Sequence, residues 1–139
     1  MPILPAFADA VTRRLPKVIS PQGHAIADYF TIAVFAAAGG LLWKNHRRAA
    51  KAALLCGGAE LVLDLLTDYP GGIAKLVGFR AHGKIDLGLA ALAATMPELL
   101  SFREERGLFL TQAGVITGST NLTNFEPARH FEKKPLRFA

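Results

Sequence analysis

At 139 residues the chain has room for one domain, and its single cysteine excludes an internal disulfide and any cysteine-built zinc motif. Apolar residues make up 51% and charged residues only 19%, below the about 25% of an average soluble domain. The net charge of +5 lies mostly outside the apolar runs, where anionic lipid headgroups account for it and no nucleic-acid partner is needed.

The opening stretch, MPILPAFADAVTRRLPKVI, does not read as a signal peptide. Its basic residues follow the apolar part, which is short and broken by prolines. It is expected to stay on the chain as an interfacial segment. Four apolar segments follow, at about residues 25–43, 49–66, 85–100 and 107–125. Each is close to the roughly 20 residues that cross a bilayer as a helix, and Ala, Gly and Thr are frequent, as where membrane helices pack closely. The second segment carries Glu60 and Asp64, and the third carries Pro97 and Glu98. The doublets Gly39-Gly40 and Gly57-Gly58 are expected to let the first two helices approach. Cys56, within an apolar run, reads as a small buried hydrophobe.

The short charged links KNHRR and FREER join the segments into two helical hairpins. A longer middle link, DYPGGIAKLVGFRAH, opens on a strong stop signal, and its IAKLVGF part is expected at the membrane interface. The tail, residues 125–139, is basic and aromatic and reads as lying at a headgroup surface.

The halves resemble each other. KVISPQGHAIAD and KLVGFRAHGKID stand 58 residues apart and place Lys17, His24 and Asp28 against Lys75, His82 and Asp86. At an offset of 56, Leu54, Gly58, Leu66 and Thr67 match Leu110, Gly114, Leu122 and Thr123. The change of offset falls in the first hairpin link, where insertions are tolerated. The expected fold is therefore all-α: an integral membrane four-helix bundle made of two tandem pseudo-symmetric helical hairpins. Repeat 1 spans about 15–68 and repeat 2 about 73–124, within a single membrane domain. The side with both termini and the middle link carries ten Lys or Arg and the side with the short turns six, which puts the termini in the cytoplasm.

A His-x-x-x-Asp pair on a helix puts both side chains on one face. Tandem hairpins bring His24, Asp28, His82 and Asp86 to one side of the bundle, with Asp64 and Asp68 at the end of the second helix. Carboxylates near a helix C-terminus are disfavoured by its dipole, and Glu60 lies deeper still. Something must offset these charges. One candidate is a divalent metal ion (Zn, Mn or Fe) held by His24, Asp28, Asp64, Asp68, His82 and Asp86, with Asn121, Asn124 or Thr67 behind them. A metal-bound water would then make hydrolysis at the membrane surface the reaction class, with Asp64 or Asp68 as general base or ligand. A second candidate is a salt-bridge network that locks the hairpins with no catalysis, using the histidines, Arg80, Lys84 or Lys17. A third is haem with His24 and His82 as axial ligands, which Asp28 and Asp86 one turn deeper argue against. A fourth is a proton path ending at Glu60. His46 falls on the opposite side, and His130 in the tail. A homo-oligomer would cover apolar surface that otherwise faces the lipid bilayer.

Overall fold

A computed structural model describes residues 15–126, so the expectations for the opening segment up to residue 14, for the basic tail from residue 127 and for His130 lie outside the described residues. Four helices follow in chain order: α1 (Pro21–Leu42), α2 (Arg47–Leu66), α3 (Phe79–Leu99) and α4 (Arg106–Leu122). No strand occurs among the described residues. The all-α expectation holds, with short turns between α1 and α2 and between α3 and α4. Neighbouring pairs are α1–α2, α3–α4, α2–α3 and α1–α4, which leaves α1 and α3 on one diagonal of a square bundle.

Helices α1 and α3 begin earlier than the hydropathy places them. Ser20 caps α1: its Oγ accepts the Gly23 N–H at 3.1 Å, and Pro21 fills the first helical position, where its missing N–H costs nothing. α3 starts after Gly78 in extended conformation. As a result each histidine is the fourth residue of its helix rather than its head. The His24 N–H bonds Ser20 O at 2.9 Å, and the His82 N–H bonds Gly78 O at 3.0 Å.

The ends of α2 and α4 also match. Thr67 (φ −88°, ψ 140°) and Thr123 (φ −84°, ψ 138°) break the helices by turning extended. Each then pairs with the segment that enters the next helix around the bundle. The Ile19 N–H donates to Leu122 O at 2.9 Å and Ile19 O accepts from the Asn124 N–H at 3.0 Å. At the same places in the other half, the Val77 N–H donates to Leu66 O at 2.8 Å and Val77 O accepts from the Asp68 N–H at 2.8 Å. The part of the middle link expected at the interface thus includes an extended residue, Val77, held against Thr67.

The bundle is zoned along its length. Toward the short turns lies an apolar core of Phe35, Phe109, Met96, Ile116 and small alanines, with the Phe35 and Phe109 rings 5.8 Å apart. Of the two glycine doublets, one member each does the packing. A Cβ on Gly39 would meet Leu54 at 2.5 Å and one on Gly57 would meet Phe35 at 2.9 Å, whereas Gly40 and Gly58 face open space. Cys56 is buried in this core. Toward the chain ends the interior turns polar: His24, Asp28, Thr31, Glu60, Asp64, Thr67, His82, Asp86, Thr120 and Thr123 are all buried. Large apolar side chains, among them Ile26, Phe30, Leu41, Leu55, Val62 and Leu99, point outward instead. Among the described residues one helix, α1, is long and apolar enough to cross a membrane, with a mean hydropathy of 1.7 over its best window.

Candidate metal centre

His24 and Asp28 on α1 meet His82 and Asp86 on α3 at the bundle axis. All four are buried, at most 3% exposed. The two Nε2 atoms stand 3.2 Å apart. Asp86 Oδ2 stands 3.1 Å from each of them. Asp28 reaches both rings with different oxygens, Oδ1 at 3.5 Å from His24 Nε2 and Oδ2 at 3.4 Å from His82 Nε2. One atom from each of the four residues can be chosen so that all lie within 4.8 Å of one another.

The opposite ring nitrogens decide what these atoms are. His24 Nδ1 lies 2.7 Å from Thr123 Oγ1, and His82 Nδ1 lies 2.8 Å from Thr67 Oγ1. Each threonine hydroxyl has one proton and spends it within its own helix. Thr123 donates to Ser119 O at 2.6 Å and Thr67 to Leu63 O at 2.7 Å. Both hydroxyls must therefore accept from Nδ1–H. In a neutral imidazole the other nitrogen is then bare. Two Nε2 lone pairs and two carboxylates thus face one another across about 3 Å. With both rings neutral, four acceptors converge and need a positive centre among them, either a cation or a proton on one Nε2.

The surroundings close this centre. Tyr69 donates its hydroxyl to Asp28 Oδ2 at 3.0 Å, and Thr120 donates to Asp86 Oδ2 at 3.2 Å. Burial and the nearby Asp28 and Asp64 carboxylates push the Tyr69 hydroxyl well above the ordinary phenol range, which keeps it a donor. The Tyr69, Phe79 and Phe125 rings pack on the imidazoles, with centroid separations of 5.0 Å for Tyr69–His82 and 5.3 Å for Phe125–His24. Gly83 permits this, since a Cβ there would meet the Phe125 ring at 2.6 Å. Above this aromatic layer is an open cleft of about 410 Å³ with Arg80, Asp68 and Glu126 at its rim.

Of the six ligands expected from sequence, four converge. Asp64 is also fully buried, on α2, and neither of its oxygens meets a donor among the described residues. Asp68 lies outside the cluster: it follows the end of α2, points to the surface and pairs with Lys75 at 3.6 Å. The lysines and Arg80 named for a salt-bridge network are elsewhere too. Lys17 bonds Asn121 O, and Arg80 pairs with Glu126 at 3.2 Å. Asn124 bonds the Glu126 N–H, so it does not support the site. Thr67 does, with Thr123 and Tyr69 beside it, two residues that the expected supporting set omits. The matching positions of Thr67 and Thr123 in the two halves were the signal for the first of them. His46 sits on the opposite side against Glu104 and Glu105, part-exposed. A haem between His24 and His82 meets a geometric obstacle: the macrocycle would have to pass between nitrogens already 3.2 Å apart, through space that Asp28 and Asp86 fill. Comparison with known proteins finds no matching family model, curated protein or solved structure.

Proposed function

We propose that this chain is a membrane-embedded four-helix protein whose two hairpins are joined by a divalent metal ion, with His24, Asp28, His82 and Asp86 as ligands. The observation that carries the proposal is the tautomer argument. The threonine partners hold the proton of each neutral imidazole at Nδ1, so that its Nε2 faces the two carboxylates as a lone pair. The spacings fit a small ion. Four ligands at about 2.0–2.2 Å in tetrahedral array stand about 3.3 Å from one another. The two Nε2 atoms and Asp86 Oδ2 stand 3.1–3.2 Å from one another, and Asp28 offers each ring a different oxygen at 3.4–3.5 Å. Nitrogen and carboxylate donors in that array favour zinc over manganese and iron, which prefer more ligands.

The site has four protein ligands and an aromatic cover. Closed sites of this kind are structural, whereas catalytic zinc keeps an open position. This favours an ion that ties α1 to α3 over a hydrolytic centre, and it withdraws the base role considered for Asp68, whose carboxylate is at the surface. The membrane reading rests on the outward apolar side chains around a polar interior and on the length of α1. With the basic bias toward the chain ends, the reading puts both termini, and the metal, on the cytoplasmic side.

One other filler competes. A proton on either Nε2 would make an imidazolium that donates to Asp86 or Asp28, a purely electrostatic lock. Elemental analysis of the untagged protein, purified in detergent without chelators, separates the two. The metal reading expects bound transition metal that a strong chelator removes with a fall in thermal stability, since an ion bound only by the folded state stabilises it. A metal-free sample that keeps its fold and ignores added Zn²⁺ would sink it.

A further inference from the structure

The matching halves build one hollow twice. Between α3 and the end of α4, a pocket of about 320 Å³ is lined, among others, by Lys17, Arg80, Lys84, Leu87, Phe125 and Glu126. Its counterpart, between α1 and the end of α2, is lined by Gln22, Ala25, Ile26, Tyr29, Pro70 and Gly71. At the offset of 58, Gln22, Ile26 and Tyr29 match Arg80, Lys84 and Leu87, and at the offset of 56 Pro70 matches Glu126.

The two hollows differ in charge. The counterpart has no charged residue in its wall, whereas in the α3 pocket three cations face one carboxylate, an excess of two positive charges. Packing does not call for these cations, since Gln22 and Ile26 complete the same wall in the other half. Contacts within the protein do not use them up either. Lys17 donates to Asn121 O, and Arg80 meets Glu126 Oε1 through Nη2 at 3.2 Å, which leaves it further N–H donors. Lys84 makes no hydrogen bond or ion pair among the described residues. It is the sixth residue of α3 and stands beside Ile85 and Leu87, which are 44% and 37% exposed. A lysine among lipid-facing apolar side chains lays its stem along them and carries its ammonium to the headgroups.

Resting on the membrane reading above, we propose that the α3 pocket binds the headgroup of an anionic phospholipid in the cytoplasmic leaflet. Arg80 offers the lipid phosphate a planar fork of donors and Lys84 a point charge, and Lys17 adds to the positive field. Basic pockets between helices on the cytoplasmic side hold such headgroups. Leu87 and Phe125 give the start of an acyl chain an apolar wall, which a soluble anion would leave unused. The α1 hollow, without a cation, has no such preference.

The test uses the untagged full chain, which the membrane reading expects to float with neutral phosphatidylcholine vesicles. Native mass spectrometry in a neutral detergent, with phosphatidylglycerol and phosphatidylcholine added in equal amounts, then reads the pocket. One phosphatidylglycerol per chain should be retained in preference to phosphatidylcholine. R80Q and K84I install the side chains that the other half carries at the matching places, and each should weaken this binding by about fivefold, the worth of one basic side chain at an anionic surface. The comparison of the two lipids on the wild type needs no variant, so a misfolded mutant does not blunt it. Equal retention of both lipids, or phosphatidylglycerol binding unchanged in the R80Q/K84I double variant, would overturn the site while membrane insertion stands. Displacement of phosphatidylglycerol by excess inorganic phosphate would overturn the lipid as the occupant. A chain that does not float with phosphatidylcholine vesicles would overturn the membrane reading and this site with it.

Discussion

The two hairpins agree at the histidines and part company one turn deeper. Each supplies a His four residues into its first helix, an Asp one turn on, and a terminal Thr that fixes the imidazole of the other hairpin. These shared parts make a site that neither half has alone. Where the halves differ, the first has Glu60, Asp64 and Tyr69, and the second has Ile116, Thr120 and Phe125. Thr120 gives Asp86 a hydroxyl donor, while Asp64 at the matching place adds another carboxylate and no donor. The lesson is that the symmetric residues form the His/Asp cluster proposed to hold an ion, and the asymmetric ones bury further acidic side chains in one half only.

Breaking the symmetric shell should have the largest effect. His82→Ala or His24→Ala should lower zinc affinity by more than about 100-fold, since even residues that only orient ligands are worth 10–100-fold. Competition with a chromophoric chelator measures this, and the two variants should lose equally. Phe35→Ala strikes the apolar end instead. It should cost about 3–5 kcal/mol of stability to detergent unfolding while the bound metal per folded chain stays the same. Unequal metal content there would mean that the two zones of the bundle are not independent. Thr67→Val and Thr123→Val should each weaken zinc by about 10–100-fold, and by similar factors, because each frees one Nδ1 proton. A large inequality would break the pseudo-symmetric account of the shell. Tyr69→Phe makes the first half like the second at that position and removes one donor from Asp28. A loss of about tenfold in zinc affinity is expected, the low end for such supporting groups. Asp68→Asn should leave zinc binding unchanged, because the exposed pair with Lys75 is worth under about 1 kcal/mol and lies outside the site.

Much of this was legible in the chain because the relevant signals are local. A His-x-x-x-Asp pair faces one way on any helix, and its recurrence at matched positions implies convergence once the hairpins stack. The helix count and the turns follow from hydropathy and charge for the same reason. What was not legible depends on how a helix ends. Asp64 and Asp68 share a face only if α2 continues, and it stops at Leu66. The extended Thr67 then turns Asp68 outward and leaves Asp64 inside. The Tyr69 hydroxyl reaches Asp28 through the same break, which no spacing rule reports. The early start of α3 at Phe79 follows no polar cap in the sequence, and it sets the depth of His82. Thr123 was visible as a match to Thr67 but not as a partner of His24, because that contact joins residues 99 apart in sequence.

The most direct test of the central claim is X-ray absorption at the zinc edge on protein loaded with one equivalent of Zn²⁺. The proposed site predicts four nitrogen and oxygen ligands at about 2.0–2.2 Å, two of them imidazoles, with the imidazole scattering reduced in His82→Ala. A zinc shell without imidazole, or folded protein that takes up no zinc, would contradict it.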